Sequence, residues 1–143
     1  MEARNPDYRA YVEAGFAGGG FVQDAGIRLV DCGPGWVTSE VVIEPRHLQQ
    51  NGVVHGGLMA TMADHTAGAA AVTLAAAGQI GMTAELKVSM LRAARAPRLE
   101  CRGQVLKQGR TLSFVEAEVY AVDGGRRELV AKASATMAIS STR

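Results

Sequence analysis

Apolar and polar residues alternate along most of the second half of the chain, and one long stretch ahead of it does not alternate at all. Between Thr83 and Leu91, the positions Ala84, Leu86, Val88 and Met90 stand against Thr83, Glu85, Lys87 and Ser89, the two-residue period of a half-buried strand. Arg98 to Leu106 repeats it with Leu99, Cys101 and Val105 on one face, and Leu112 to Val122 follows. The last strand, Glu128 to Ile139, sets Leu129, Ala131, Ala133, Ala135, Met137 and Ile139 against mostly polar partners, and Asp123-Gly124-Gly125 predicts the hairpin before it. Upstream, Ile27 to Asp31 and Trp36 to Ile43 read as strands around a Gly33-Pro34-Gly35 turn, with Pro45 ending the second. Gly56 to Ala77 is apolar nearly throughout and predicts a long helix enclosed by protein on almost every side. A short helix is expected over 6–17: Asn5 caps it, Pro6 opens it, Tyr8, Tyr11, Val12 and Phe16 share a face, and Gly18-Gly19-Gly20 stops it.

The predicted order is helix, two strands, long helix, four strands. Consecutive strands without intervening helices imply an antiparallel sheet, so the fold class is α+β, one sheet wrapped around one apolar helix. The chain is read as a single domain over 1–143, with its core over 26–139. The long helix would reach about 33 Å, enough to span a bilayer, but Asp64 and His65 sit near its middle and the strands alternate like those of a soluble sheet. A net charge of +1 gives no global field for nucleic acid. Met1 to Tyr11 lacks the apolar run of a secretory signal, and Cys32 and Cys101 have no CxxC spacing, so a reducing cytoplasm is expected.

The most informative stretch is the polar loop Gln49-Gln50-Asn51-Gly52-Val53-Val54-His55-Gly56-Gly57, which runs straight into the apolar helix. About two turns in stands a lone carboxylate, Asp64, among Leu, Met, Ala and Thr. Burying such a charge costs several kcal/mol, roughly, unless it is paired or used. The position points to chemistry.

These residues carry a resemblance. HLQQNGVVHGGLMATMADHTAGAA, then TAELKVSMLRAA, GQVLKQGRTLSFVEAEVY and AKASATMAI, resemble the phenylacetate-pathway type of acyl-CoA thioesterase in the hotdog-fold superfamily, over roughly Gly26 to Ile139. The resemblance implies a curved antiparallel sheet around a central helix, paired into a dimer with a continuous sheet and often a tetramer. It implies a carboxylate, here Asp64, as nucleophile or general base, and the backbone N–H of Gly56 as donor to the thioester oxygen. It places Gln49 where an Asn or Gln orients water or the acid, though some members have Asn there, and Thr83 where some members set a Ser or Thr beside the acid. In relatives the acid and the glycine of one site usually come from different subunits.

The chemistry suits these residue types. Thioester hydrolysis builds negative charge on the carbonyl oxygen, and a helix N-terminus offers unpaired N–H groups to it. Gly56 has no Cβ to keep an acyl group from the backbone. His55 is read first as a residue that fixes the loop and second as a proton carrier. Asn51 and Gly57, beside these groups, are taken as substrate contacts. Coenzyme A needs cations for its phosphates. Lys87, Arg92, Arg95, Arg98, Arg102, Lys107 and Arg110 lie within one stretch against only Glu100, and Arg92, Arg95, Lys107 and Arg110 are taken as candidates. A solvated sheet edge would carry the same charges.

No HExxH occurs among His47, His55, His65 and Asp64, no G-x-S-x-G is present, and the glycines near the N-terminus lack a Gly-Lys-Ser/Thr ending. Neither a metal nor an organic cofactor is expected. Two rival readings stand beside hydrolysis: a hotdog hydratase or dehydratase using His55 and Asp64 as an acid–base pair, and a non-catalytic acyl-CoA binding module. The acyl group itself stays open among aryl-acetyl, medium-chain and long-chain types.

Overall fold

The computed structural model describes residues 1–142. Its elements are α1 (Tyr8–Ala17), α2 (Gly20–Ala25), β1 (Arg28–Gly33), β2 (Trp36–Val42), a 3-10 turn (Pro45–His47), α3 (Gly56–Val72), β3 (Gln79–Met90), β4 (Arg98–Gln108), β5 (Leu112–Asp123) and β6 (Arg126–Ser141). All strand pairs are antiparallel, in the order β1-β2-β4-β5-β6-β3. The fold is the α+β arrangement that the alternation predicts, with α3 touching every strand from β2 to β6.

The inner face of the sheet and one side of α3 make the core. Met62, Ala63, Thr66, Ala67, Ala70 and Ala71 on the helix meet Val37 and Val41 of β2, Leu99 and Cys101 of β4, Val115 and Val119 of β5 and Met137 of β6, all essentially sealed from solvent. Enclosing a side chain the size of Met62 or Leu99 contributes roughly 1.5–3 kcal/mol. Alanines on the helix let the sheet come close, and β4 adds a glycine for the same purpose. A Cβ at Gly103 would stand 2.7 Å from the Thr66 carbonyl oxygen. Three buried hydroxyls pair internally, Ser39 with Thr66 at 2.7 Å and Thr73 with the Gly35 N–H at 2.7 Å, while that of Ser113 has no partner among the described residues. Burial pushes the Cys101 thiol up to about 12, so it is an inert core group.

Four local expectations need correcting. The glycines after Ala17 end α1 as expected, but the predicted order lacks α2, which starts at once from Gly20. The first helix opens at Tyr8, not Pro6, since the Asn5 side chain accepts from the Asp7 N–H and forms a turn ahead of it. The central helix stops at Val72, five residues early. It is also sheltered on one side only: Asp64, His65, Gly68, Ala69 and Val72 stay partly open.

The largest correction concerns β3. It begins at Gln79, and Ala84 is an extra residue: Thr83 pairs with Met137 while Glu85 pairs with Thr136. That bulge reverses the expected faces upstream of it. Ala84 becomes exposed, and Thr83 joins Leu86 on the side facing α3, because their partners Met137 and Ala135 both point into the core.

Candidate active site

The N-terminus of α3 is built by a tight loop. Leu48 and Val54 form an isolated antiparallel bridge, the Gln49 N–H donates to the Val53 carbonyl at 2.8 Å, and Gly52 turns the chain with φ +79. The Gln49 side chain accepts from the Asn51 N–H, so it serves the loop backbone. The His55 N–H donates to the His47 carbonyl at 2.8 Å, and the Val54 N–H to the Ala94 carbonyl at 3.0 Å, which ties the turn to the β3–β4 loop. His55 is the N-cap: its Nδ1 accepts from the Gly57 N–H at 2.8 Å. This bond consumes the Gly57 amide. The Gly56 amide has no acceptor among the described residues and lies at the positive end of the helix, with the end of the Met90 side chain beside the glycine.

Asp64 lies two turns further along. The Thr83 hydroxyl donates to its Oδ1 at 2.6 Å, and Met137 Sδ is 3.4 Å from the same hydroxyl. Both residues line a cavity of about 550 Å³ between α1, α3 and the start of β3, with Tyr11, Gly15, Gly68 and Val72 among its walls. His65 borders it too, edge-on to Phe16 with ring centroids 4.5 Å apart. Burial lowers the His65 pKa from its ordinary value, against the opposing pull of Asp64. Its Nε2 is sealed and unpaired.

Eight residues of α-helix rise about 12 Å, so Gly56 and Asp64 of one chain cannot both touch one reacting carbon. The candidate cations are likewise divided. Arg92 and Arg95 sit in the β3–β4 loop, against the turn that carries Gly56. Lys107 and Arg110 sit at the other end of β4, roughly 30 Å away at strand spacing. Several of the basic stretch are already engaged: Arg92 lies 3.8 Å from the Glu128 carboxylate, Arg98 pairs with Glu40 and Glu100, and the Arg102 guanidinium lies 4.6 Å from the Trp36 ring centre. Arg98 and Arg127 together hold the Glu100 carboxyl below the usual carboxylate range. His47 cannot serve as a ligand without losing its place in the loop, since its Nδ1 accepts from the Glu44 N–H and its Nε2 bonds the Ala25 carbonyl.

The sequence profile of the thioesterase superfamily matches residues 51–128, more than half of the chain, and that span contains Gly56, Asp64 and Thr83. The chain belongs to the thioesterase superfamily. Among curated members it is similar to acyl-coenzyme A thioesterase 13 of Homo sapiens, 31% identical over 94 residues, which cover 65% of this chain and 66% of that relative. The match thus spans just under two thirds of that relative's length. Among solved structures it is similar to a thioesterase family protein of Silicibacter pomeroyi at 30% identity, TM-score 0.91, covering 94% of this chain and 99% of the other. A thioesterase of Haemophilus influenzae shares the fold at 17% identity, TM-score 0.86, covering 99% and 96%.

Against this thioesterase-superfamily frame, the residues singled out from sequence fall into three places. Asp64 and Thr83 meet at the cavity mouth. Gln49, Asn51, His55, Gly56 and Gly57 cluster at the start of α3. The four cations flank the two ends of the sheet. Sequence reasoning missed the α1 wall of the cavity, formed by Tyr11 and Gly15, and it missed Gly68. Gly68 carried a legible signal, standing one helical turn after Asp64 on the same face.

Proposed function

We propose that this protein is a cytoplasmic acyl-CoA thioesterase of the phenylacetate-pathway type, hydrolysing the acyl–sulfur bond with Asp64 as nucleophile or general base. The observation that carries the reading is the Thr83–Asp64 hydrogen bond at the mouth of an apolar-walled cavity beside the central helix. The bond fixes one carboxylate oxygen and leaves the other free to attack the carbonyl or to take a proton from water. The unpaired Gly56 amide supplies the donor for the developing oxyanion, and a donor of that kind is worth roughly 10²–10³ in rate. The 12 Å rise between the two groups argues that each site combines Asp64 of one subunit with Gly56 of another.

The sheet offers a place for that pairing. β3 is an edge strand of 12 residues with Met82, Ala84 and Met90 exposed, a long unpaired edge of the sort natural proteins cover. A homodimer joined along β3, alone or doubled into a homotetramer, covers it. Arg92 and Arg95, beside Gly56, and Lys107 and Arg110, at the Asp64 end, are the candidate phosphate contacts. Among the described residues no helix is long and apolar enough to cross a membrane.

The test is thiol release from a panel of acyl-CoA substrates by wild type and by Asp64→Ala. Turnover in the variant is expected to fall at least a thousandfold with an unchanged circular dichroism spectrum. Equal rates in the two proteins would overturn the assignment. Loss of substrate from the acyl chain without thiol release would point to the hydratase reading.

A further inference from the structure

Two glycines stand inside helices where folding gives them no reason to be. Gly15 lies within α1 and Gly68 within α3, and glycine is the poorest helix former apart from proline. Neither has a positive φ. Neither relieves a close approach: a Cβ at Gly15 would meet nothing within 4 Å, and one at Gly68 would meet only the end of the Met137 side chain, at 3.8 Å, an ordinary contact. Alanine at both positions would fit the backbone and strengthen the helices.

Both glycines face the same space. Each lines the cavity that opens at Asp64 and Thr83, from opposite walls. Asp64, Gly68 and Val72 are spaced four apart on α3, so the cavity follows the helix for about 12 Å away from the carboxylate. Tyr11 of α1 and Ile80 of β3 also line it.

We infer that this cavity receives the acyl group and that the missing side chains at Gly15 and Gly68 set the bulk it accepts, favouring medium-chain or aryl-alkanoyl groups over short ones. The inference rests on the thioesterase reading above. An acyl carbonyl at Asp64 directs its tail along α3, past Gly68, beneath Gly15. A methyl or larger group at either position fills volume that a long or ring-bearing tail would occupy, and leaves a two- or four-carbon acyl group unaffected.

The experiment measures kcat/KM for thiol release across acetyl-, butyryl-, octanoyl- and phenylacetyl-CoA with wild type, Gly68→Ala, Gly68→Val and Gly15→Leu, alongside melting temperature and oligomeric state by light scattering. The expected result is a tenfold or greater loss on octanoyl- and phenylacetyl-CoA in Gly68→Val and Gly15→Leu, with butyryl-CoA within twofold of wild type. Gly68→Ala should show a smaller shift of the same kind and a melting temperature no lower than wild type. Equal loss on every substrate, a change of oligomeric state, or an unaltered profile would overturn the inference while leaving the hydrolase intact. Wild type that releases no thiol from any of the four would remove both readings together.

Discussion

The hydroxyl of Thr83 reaches Oδ1 of Asp64 at 2.6 Å because the residue after it, Ala84, is bulged out of the β3–β6 ladder. In an unbroken strand Thr83 would lie with Glu85 and Lys87 on the face away from α3. The hydrogen bond therefore reports on backbone register as much as on residue type. The bond is open to solvent, so water competes for both partners and it adds little to stability; its effect is to orient the carboxylate.

Thr83→Val keeps the shape of the side chain and removes the donor. Its kcat for thiol release is expected to fall about ten- to a hundredfold, with KM changed much less and melting temperature nearly constant, since the residue sits on an edge strand. Thr83→Ser should recover most of the loss. A Val variant as fast as wild type would show that the hydroxyl plays no part in turnover.

The His55 cap and Gly57 form a second coupled pair. A Cβ at position 57 would lie 2.9 Å from His55 Nδ1, so Gly57→Ala expels the imidazole from its bond to the amide. Loss of an N-cap costs about 1 kcal/mol. Chemical denaturation of Gly57→Ala, His55→Ala and the double variant should show the two costs failing to add: once the imidazole is gone, alanine at 57 becomes neutral or favourable. Strict additivity would mean that alanine at 57 acts independently of the imidazole and leaves the cap in place.

His65 supplies the pH dependence. Burial lowers its pKa in the folded protein below the ordinary value of 6.5. The unfolded chain then binds the proton first as pH falls, and the linkage works against folding. Stability from this group is full above about pH 6.5, declines as the pH falls below it, and is lost once the pH passes below the depressed value. Melting curves between pH 8 and pH 5 should fall with acid in wild type and fall less steeply in His65→Phe. The same slope in both would remove His65 as the source.

Sequence alone gave the strand pattern, the apolar helix and Asp64, because each rests on periodicity or on a charge set in an apolar run. It read poorly wherever one residue changes the phase. Ala84 carries no mark that separates a bulged alanine from a paired one, so Thr83 was assigned to the wrong face even as it was selected for the site. Gly18 to Gly20 look like a break, yet α2 restarts there and seats Val22 in the core, while Phe21 stays exposed. The basic stretch from Lys87 to Arg110 looked like one patch because sequence compresses a strand; extended, β4 carries its ends far apart. The Tyr11 and Gly15 wall belongs to a helix some fifty positions from Asp64, and no local signal joins them.

The depth at which Asp64 stands is decided from behind. Gly103, on the opposite side of α3, lets a strand rest directly on the peptide of Thr66, two residues from the acid. Any side chain there would lift the helix off its bed and carry the carboxylate out of reach of its hydroxyl. One absent methyl, remote from solvent, thus acts as the shim that sets the whole reactive edge in alignment.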